Sequence, residues 1–268
     1  MQNTFKLSSD SSKVNSTISQ RYRLDIEYDG TNYFGFQKQN HNNLKTIEES
    51  LLTAIRQLSL QDTEIIPSGR TDAGVHAINQ TIHFNLAKFF SPYQICAGLN
   101  HFLRLNNEAI SVLNCQLVDE NFHARFSAKT RYYRYEIINR SSALALDKFR
   151  AWHIPNQLDI EAMISASKYL IGQHDFTSFR DSECQSKTSI RTINDIIFSI
   201  NNQKIIIEIS AKSFLHHMVR NIVGTLYYVG IGKFNAKQIN EILLSCNRVK
   251  SGPNAPACGL YFLKTDYD

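Results

Sequence analysis

Between Arg21 and Glu27 apolar and polar side chains alternate, with Tyr22, Leu24 and Ile26 on one side, which is the period of a half-buried strand. Asp29-Gly30 ends it, and an aromatic stretch, Thr31 to Gln39, follows as a loop. Thr46 then stands three residues before Glu49, a capping pair, and Ile47, Leu51, Ala54, Ile55 and Leu58 recur at helical spacing. A strand is predicted near 62–67 and another where Ile82, Phe84 and Leu86 alternate with Thr81, His83 and Asn85. Pro92 opens a helix to about Leu103, and 109–116 reads as a strand.

That order, β-α-β-β-α-β, recurs in pattern but not in identity. The second half carries a strand at 131–139, a helix at 159–171, strands at 191–200 and 203–211, helices from 214 and from 236, and a last strand at 260–266. Two ferredoxin-like α+β units, 21–120 and 121–268, joined near residues 117–128, account for the repeat. Residues 1–20 are rich in Ser, Asn, Thr and Gln and read as a disordered tail. A transit peptide is the alternative, but the tail has no Arg and contains Asp10, against the composition of such peptides.

Composition narrows the class. A chain of 268 residues, 43% hydrophobic, can bury a substantial core. A net charge of +5 with a pI near 8.9 fits a polyanion held by a patch. Five cysteines without a C-x-x-C pair suggest neither a disulfide framework nor a zinc cluster. No apolar run reaches the roughly 18 residues of a membrane span, and no h-region opens the chain, so a cytoplasmic protein is expected.

Three stretches carry candidate chemistry. In Ser68-Gly69-Arg70-Thr71-Asp72-Ala73-Gly74-Val75-His76-Ala77, one carboxylate sits beside one guanidinium, flanked by glycines that permit positive φ and close approach to the main chain. The spacing of Gly69 and Gly74 also opens a phosphate loop, but Val75 and His76 replace the Lys and Ser/Thr which that loop needs. A surface turn with an Arg70–Asp72 ion pair of little energetic value is the plainer reading. Between Asn121 and Tyr135, His123, Arg125, Lys129, Arg131 and Arg134 interleave with Phe122, Phe126, Tyr132, Tyr133 and Tyr135 with no acid, which suits phosphate neutralisation and base stacking. An edge strand with snorkelling arginines is the alternative. From Phe214, a helix would place Phe214, Met218, Ile222 and Leu226 on an apolar stripe and His217, Arg220, Asn221 and Gly224 on another face. On such a helix His216 and His217 diverge, which argues against a metal held by both.

Gly69 to His76 resembles the active-site loop of the tRNA pseudouridine synthase A family. Phe122 to Ala128 with Tyr133-Arg134-Tyr135, Phe214 to Gly224, Asp175 to Arg180 and Gly259-Leu260-Tyr261 are similar to the same family, and the resemblance runs from about residue 22 to 267. It implies two α+β domains with sheets side by side and a catalytic cleft between them. Asp72 becomes the catalytic aspartate, Tyr133 the substrate-binding tyrosine, and Arg220 the arginine beside the aspartate. Arg70, Arg131, Arg125 and His217 join the substrate-binding set. The activity implied is isomerisation of uridine to pseudouridine at tRNA positions 38, 39 and 40 in the anticodon arm, by a homodimer whose two subunits contact one tRNA, with no cofactor and no metal. An ionised Asp72 would need a cation within about 4–6 Å, supplied by Arg220 and Arg70. The Tyr133 hydroxyl is a candidate to take the C5 proton, with Arg131 favouring the phenolate.

A non-catalytic RNA-binding protein built of two sheet modules is the alternative from another class. It accounts for 121–135 but leaves the Asp72 loop without a purpose, since an isolated acid facing phosphates opposes binding.

Overall fold

A computed structural model describes residues 19–38 and 45–267. The expected N-terminal tail lies outside the described residues apart from its last two, of which Gln20 already belongs to a strand.

Strand β1 (Gln20–Tyr28) buries Tyr22, Leu24 and Ile26 completely, as their alternation predicts. Helix α1 (Ile47–Ser59) starts at the expected box: Glu49 N donates to Thr46 Oγ1 at 3.3 Å and Thr46 N donates to the Glu49 carboxylate at 3.2 Å. Strand β2 (Ile66–Pro67) is only two residues long, far shorter than the expected 62–67, and Pro67 has no N–H to extend a ladder. Strand β3 (His76–Leu86) begins five residues before the alternation that revealed it, because both its faces are largely buried there and its first residues show no period of two. Helix α2 (Pro92–Leu105) is capped by Ser91 and Gln94, and β4 (Ile110–Val118) closes the first half.

The second half holds β5 (Thr130–Asn139), β6 (Trp152–Ile154), α3 (Ile160–Ser167), β7 (Gly172–Asp175), β8 (Ile190–Asn201), β9 (Lys204–Ala211), α4 (Met218–Gly230), α5 (Ala236–Leu244) and β10 (Leu260–Asp266). Strands β6 and β7, of three and four residues, are too short to carry a readable period. The helix expected over 159–171 is α-helical to Ser167 and then tightens into a 3₁₀ turn, Lys168–Leu170. Helix α4 starts at Met218 and not at 214, since His217 adopts φ 58°, a left-handed conformation that no helix interior accepts.

All ten strands form one sheet, in the order β4-β1-β3-β10-β5-β9-β8-β7, with β2 on β3 and β6 on β5. The two halves therefore share a continuous sheet, and the seam is β3 against β10, parallel, with Tyr261 opposite His76 and Phe262 opposite Ala77. Strand β5 is interior, antiparallel to β10 on one side and β9 on the other, so the edge-strand reading of 131–137 fails. Buried side chains from both halves make one apolar core that includes Leu51, Phe84, Tyr133, Ile222 and Phe262. The Asp72 loop leads into β3 on one side of the seam, and α4 brings its first turn to it from the other. Among the described residues, no helix is long and apolar enough to cross a membrane.

Candidate active site

The loop between β2 and β3 is held from beneath. Tyr28 Oη, buried, lies 2.8 Å from Thr71 Oγ1 and donates to Gln80 Oε1 at 2.5 Å, and Gln80 Nε2 in turn donates to Gly69 O. From the aromatic stretch, Phe36 N donates to Thr71 O at 3.0 Å, while Gly74 N donates to Tyr33 O at 3.3 Å. Phe36 and Tyr33 are buried, so this stretch is the floor of the loop. The two flanking glycines serve different ends. Gly74 has φ 77°, which favours glycine, whereas a Cβ on Gly69 would lie 3.1 Å from the Phe262 ring. The close approach at Gly69 is made by the protein's own seam strand.

So fixed, Asp72 projects toward three basic side chains from the other half. His216 Nε2 lies 3.3 Å from Oδ1, His217 Nε2 3.1 Å from Oδ2, and Arg220 Nη1 donates to Oδ2 at 3.1 Å. Arg220 is itself fixed by donating from Nε to Ala255 O at 2.7 Å. The Asp72 side chain keeps 25% of its surface exposed. Burial opposes its charge, but hydrogen bonds from His216 and His217 and the charges of His217 and Arg220 outweigh it and hold the carboxyl well below the usual carboxylate range. Both histidines are raised in turn, chiefly by the hydrogen bond each makes to Asp72. Asp72 is thus ionised at neutral pH.

Arg220 stands where the resemblance implies. His217 also reaches Asp72, though as the residue before α4 and not from a helix face. Arg70 does not: it is exposed, and Asp72 takes its ion pairs from His216, His217 and Arg220. His216 was missed because a helix from 214 would turn it away. With the chain left-handed at His217, the two rings stack at 3.9 Å with 26° between planes, and both face the acid. The spacing argument against a metal therefore fails, and Asp72, His216 and His217 do bring ligand atoms within 4.8 Å of one another. With Arg220 the same three side chains make up the hydrogen-bonded, charge-paired network around Oδ1 and Oδ2. Asp181, equally unforeseen, completes it from the loop after β7, 2.7 Å from His217 Nδ1.

Tyr133 lies in β5 with its ring wedged between Phe214 and Phe262, edge to face, at centroid distances of 5.0 and 5.1 Å. Burial raises its phenol above the ordinary tyrosine value and outweighs Arg131, the neighbour expected to favour the phenolate. At neutral pH Tyr133 is a protonated phenol. Arg131 itself is buried and donates to three carbonyls, Ser68 O at 2.8 Å, Lys212 O at 2.5 Å and Arg125 O at 2.6 Å, so it ties β5 to the base of the Asp72 loop and offers no free donor face to a phosphate. Arg134, on the opposite face, pairs with Glu208 at 2.8 Å. Arg125 and Lys129, in the turn before β5, are exposed, as is Phe126, whose ring lies 5.7 Å from the Arg125 guanidinium carbon.

Comparison with known proteins bears on which family the chain belongs to. The family model described as tRNA pseudouridine synthase matches residues 26–127 and 166–268. The chain is 49% identical over 247 residues to tRNA pseudouridine synthase A of Ehrlichia chaffeensis, covering 92% of this chain and 100% of that one. It is 47% identical to the Ehrlichia ruminantium (strain Gardel) protein of the same name, covering 92% and 99%, and 44% identical to that of Anaplasma phagocytophilum, covering 92% and 100%. Both stretches of the family match reach the seam, one carrying Asp72 and the other the histidines and Arg220, and the chain belongs to the tRNA pseudouridine synthase A family.

Proposed function

We propose that this chain isomerises uridine to pseudouridine at positions 38, 39 and 40 in the anticodon arm of tRNA, with Asp72 as the catalytic carboxylate. The reaction breaks the N1–C1′ bond, turns the base and rejoins it through C5, with no net redox change or hydrolysis. The observation that carries the reading is the ionised Asp72, positioned by a braced loop and paired with Arg220 and two histidines, in a chain of this family. A carboxylate so held is ready to act as nucleophile or proton abstractor without first losing a proton.

Tyr133 is buried between Phe214 and Phe262, and displacement of one of those rings would bare its face to a uridine turned out of its stack, which offsets part of an unstacking cost of a few kcal/mol. Arg125 and Lys129 contact phosphates, with Phe126 as a second stacking surface, and Arg70, exposed on the Asp72 loop, is a further phosphate contact. The architecture is two ferredoxin-like halves, 21–120 and 121–268, meeting at β3 and β10. Support comes from the strand order, β4-β1-β3-β2 in the first half and β10-β5-β9-β8 in the second, each placing its fourth, first, third and second main strands side by side. A cytoplasmic homodimer engaging one tRNA completes the reading and rests on the resemblance.

The test is release of tritium from tRNA labelled at uridine C5, since isomerisation frees that hydrogen and binding alone does not. Binding of tRNA without release by the wild type would leave the chain an RNA-binding module.

A further inference from the structure

His217 stands between two acids. Its Nε2 is 3.1 Å from Asp72 Oδ2 and its Nδ1 is 2.7 Å from Asp181 Oδ2. A neutral imidazole has one N–H and one lone pair, so it would turn a lone pair toward one carboxylate; only the imidazolium donates to both. His216 is placed differently. Its Nε2 reaches Asp72 Oδ1 at 3.3 Å, but its Nδ1 is 3.9 Å from Asp181 Oδ1, too long for a hydrogen bond, and this buried atom has no partner among the described residues. The rings are stacked at 3.9 Å, a distance at which two imidazolium charges repel.

We propose that Asp181 is a positioning residue for the reaction: by accepting the Nδ1 proton of His217 it makes that ring, and not His216, the charged member of the stacked pair, and it aims His217 Nε2–H at Asp72. The inference rests on the function proposed above and extends it to a residue outside the stretch matched by motif. Asp181 is built for the role. Its amide donates to His216 O at 3.2 Å and its Oδ1 accepts from Glu183 N at 3.0 Å, so the carboxylate is locked in its loop while the same loop grips the histidine pair. The charged groups around His217 are Asp72 from the loop before β3, Arg220 from α4 and Asp181 from the loop after β7, with the His216 ring stacked beside it. Arg248, in a 3₁₀ turn before β10, feels Asp181, and the Cys184 thiol feels His216. Of these, Asp72 and Asp181 favour the imidazolium, while Arg220 and His216 oppose it. Without the Asp181 charge, one acid would face two cations and His217 would release its proton more readily.

The test uses the full chain and Asp181→Asn, which keeps the size and removes the charge. Histidine ring signals, assigned with His216→Gln and His217→Gln, are titrated by NMR without RNA. In the wild type His217 keeps its proton to higher pH than His216. In Asp181→Asn its midpoint falls by about one pH unit. The alkaline limb of tritium release moves to lower pH by the same amount, with kcat reduced about tenfold above neutrality and KM for tRNA little changed. Asp181→Glu, which restores the charge, recovers the high midpoint in part. An unchanged His217 midpoint in Asp181→Asn, His216 titrating above His217 in the wild type, or equal losses in the Asn and Glu variants would each overturn the role. If the midpoint shifts as stated but no variant, wild type included, releases tritium, then the electrostatic role stands and the reaction assignment falls.

Discussion

The Asp72 loop and the basic segment 121–135 both carry candidate chemistry in the sequence, and the fold uses them in opposite ways. In the loop, Gln80 and Phe36 donate to backbone carbonyls, Tyr28 holds the Thr71 side chain, and the one acid is left to side chains arriving from the other half. In the segment, the strand takes the charges for itself: Arg131 serves three carbonyls beneath the sheet, Arg134 pairs with Glu208 on a neighbouring strand, and only the turn residues Arg125 and Lys129 stay exposed. An interior strand has neighbours on both sides and both faces, so its side chains meet partners. A braced loop tip presents its side chain outward. Position in the topology, more than residue type, separates a structural arginine from one available to RNA.

The sharpest break of this comparison is at Asp72. Asp72→Asn or Asp72→Ala abolishes tritium release but leaves tRNA affinity within about an order of magnitude, roughly 1.4 kcal/mol, as filter binding against turnover will show. Next come the two kinds of arginine. Arg131→Ala lowers the unfolding free energy by roughly 1.5–3 kcal/mol, for the loss of charged hydrogen bonds to three backbone carbonyls, and denaturant titration measures it. Arg125→Ala leaves stability unchanged and flattens the salt dependence of tRNA binding by a slope of about one. The reverse pattern, with Arg125 setting stability and Arg131 the salt slope, breaks the comparison outright.

Tyr133 is a milder case. Tyr133→Phe keeps the aromatic face and binds tRNA within a few-fold of wild type, whereas Tyr133→Leu loses about 1–3 kcal/mol of binding, by the same assay. Weakening by Phe equal to that by Leu would assign the contact to the hydroxyl.

The smallest effect is on stability against pH. Asp72 is lowered in the fold, so its contribution is complete above its unfolded value near 3.8 and is lost as pH falls through the lowered value. His216 and His217 are raised, so theirs is complete below about 6.5 and is lost as pH rises through their folded values. Unfolding at a series of pH values in wild type and His217→Gln checks the sign, since the variant loses the alkaline part.

Much of this was legible in advance. Thr46 with Glu49 and Ser91-Pro92 mark helix starts by local chemistry, and β1 announces itself by alternation, since each signal needs only near neighbours in sequence. Asp72, Tyr133 and Arg220 were reached by motif. Hidden from the sequence were features decided at a distance or by a single backbone angle. The positive φ of His217 starts the helix four residues later than its pattern reads and turns His216 onto the acid, and Asp181 lies 109 positions from Asp72, joined to it through the histidine pair. Arg131 looked like an RNA contact because nothing local says that its strand is interior.

The most direct measurement remains tritium release from C5-labelled tRNA under single-turnover conditions, with wild type and Asp72→Asn side by side. The account predicts release by the wild type from the anticodon-arm uridines and none by the variant, although both bind the tRNA. Release by Asp72→Asn at a rate near wild type would contradict it.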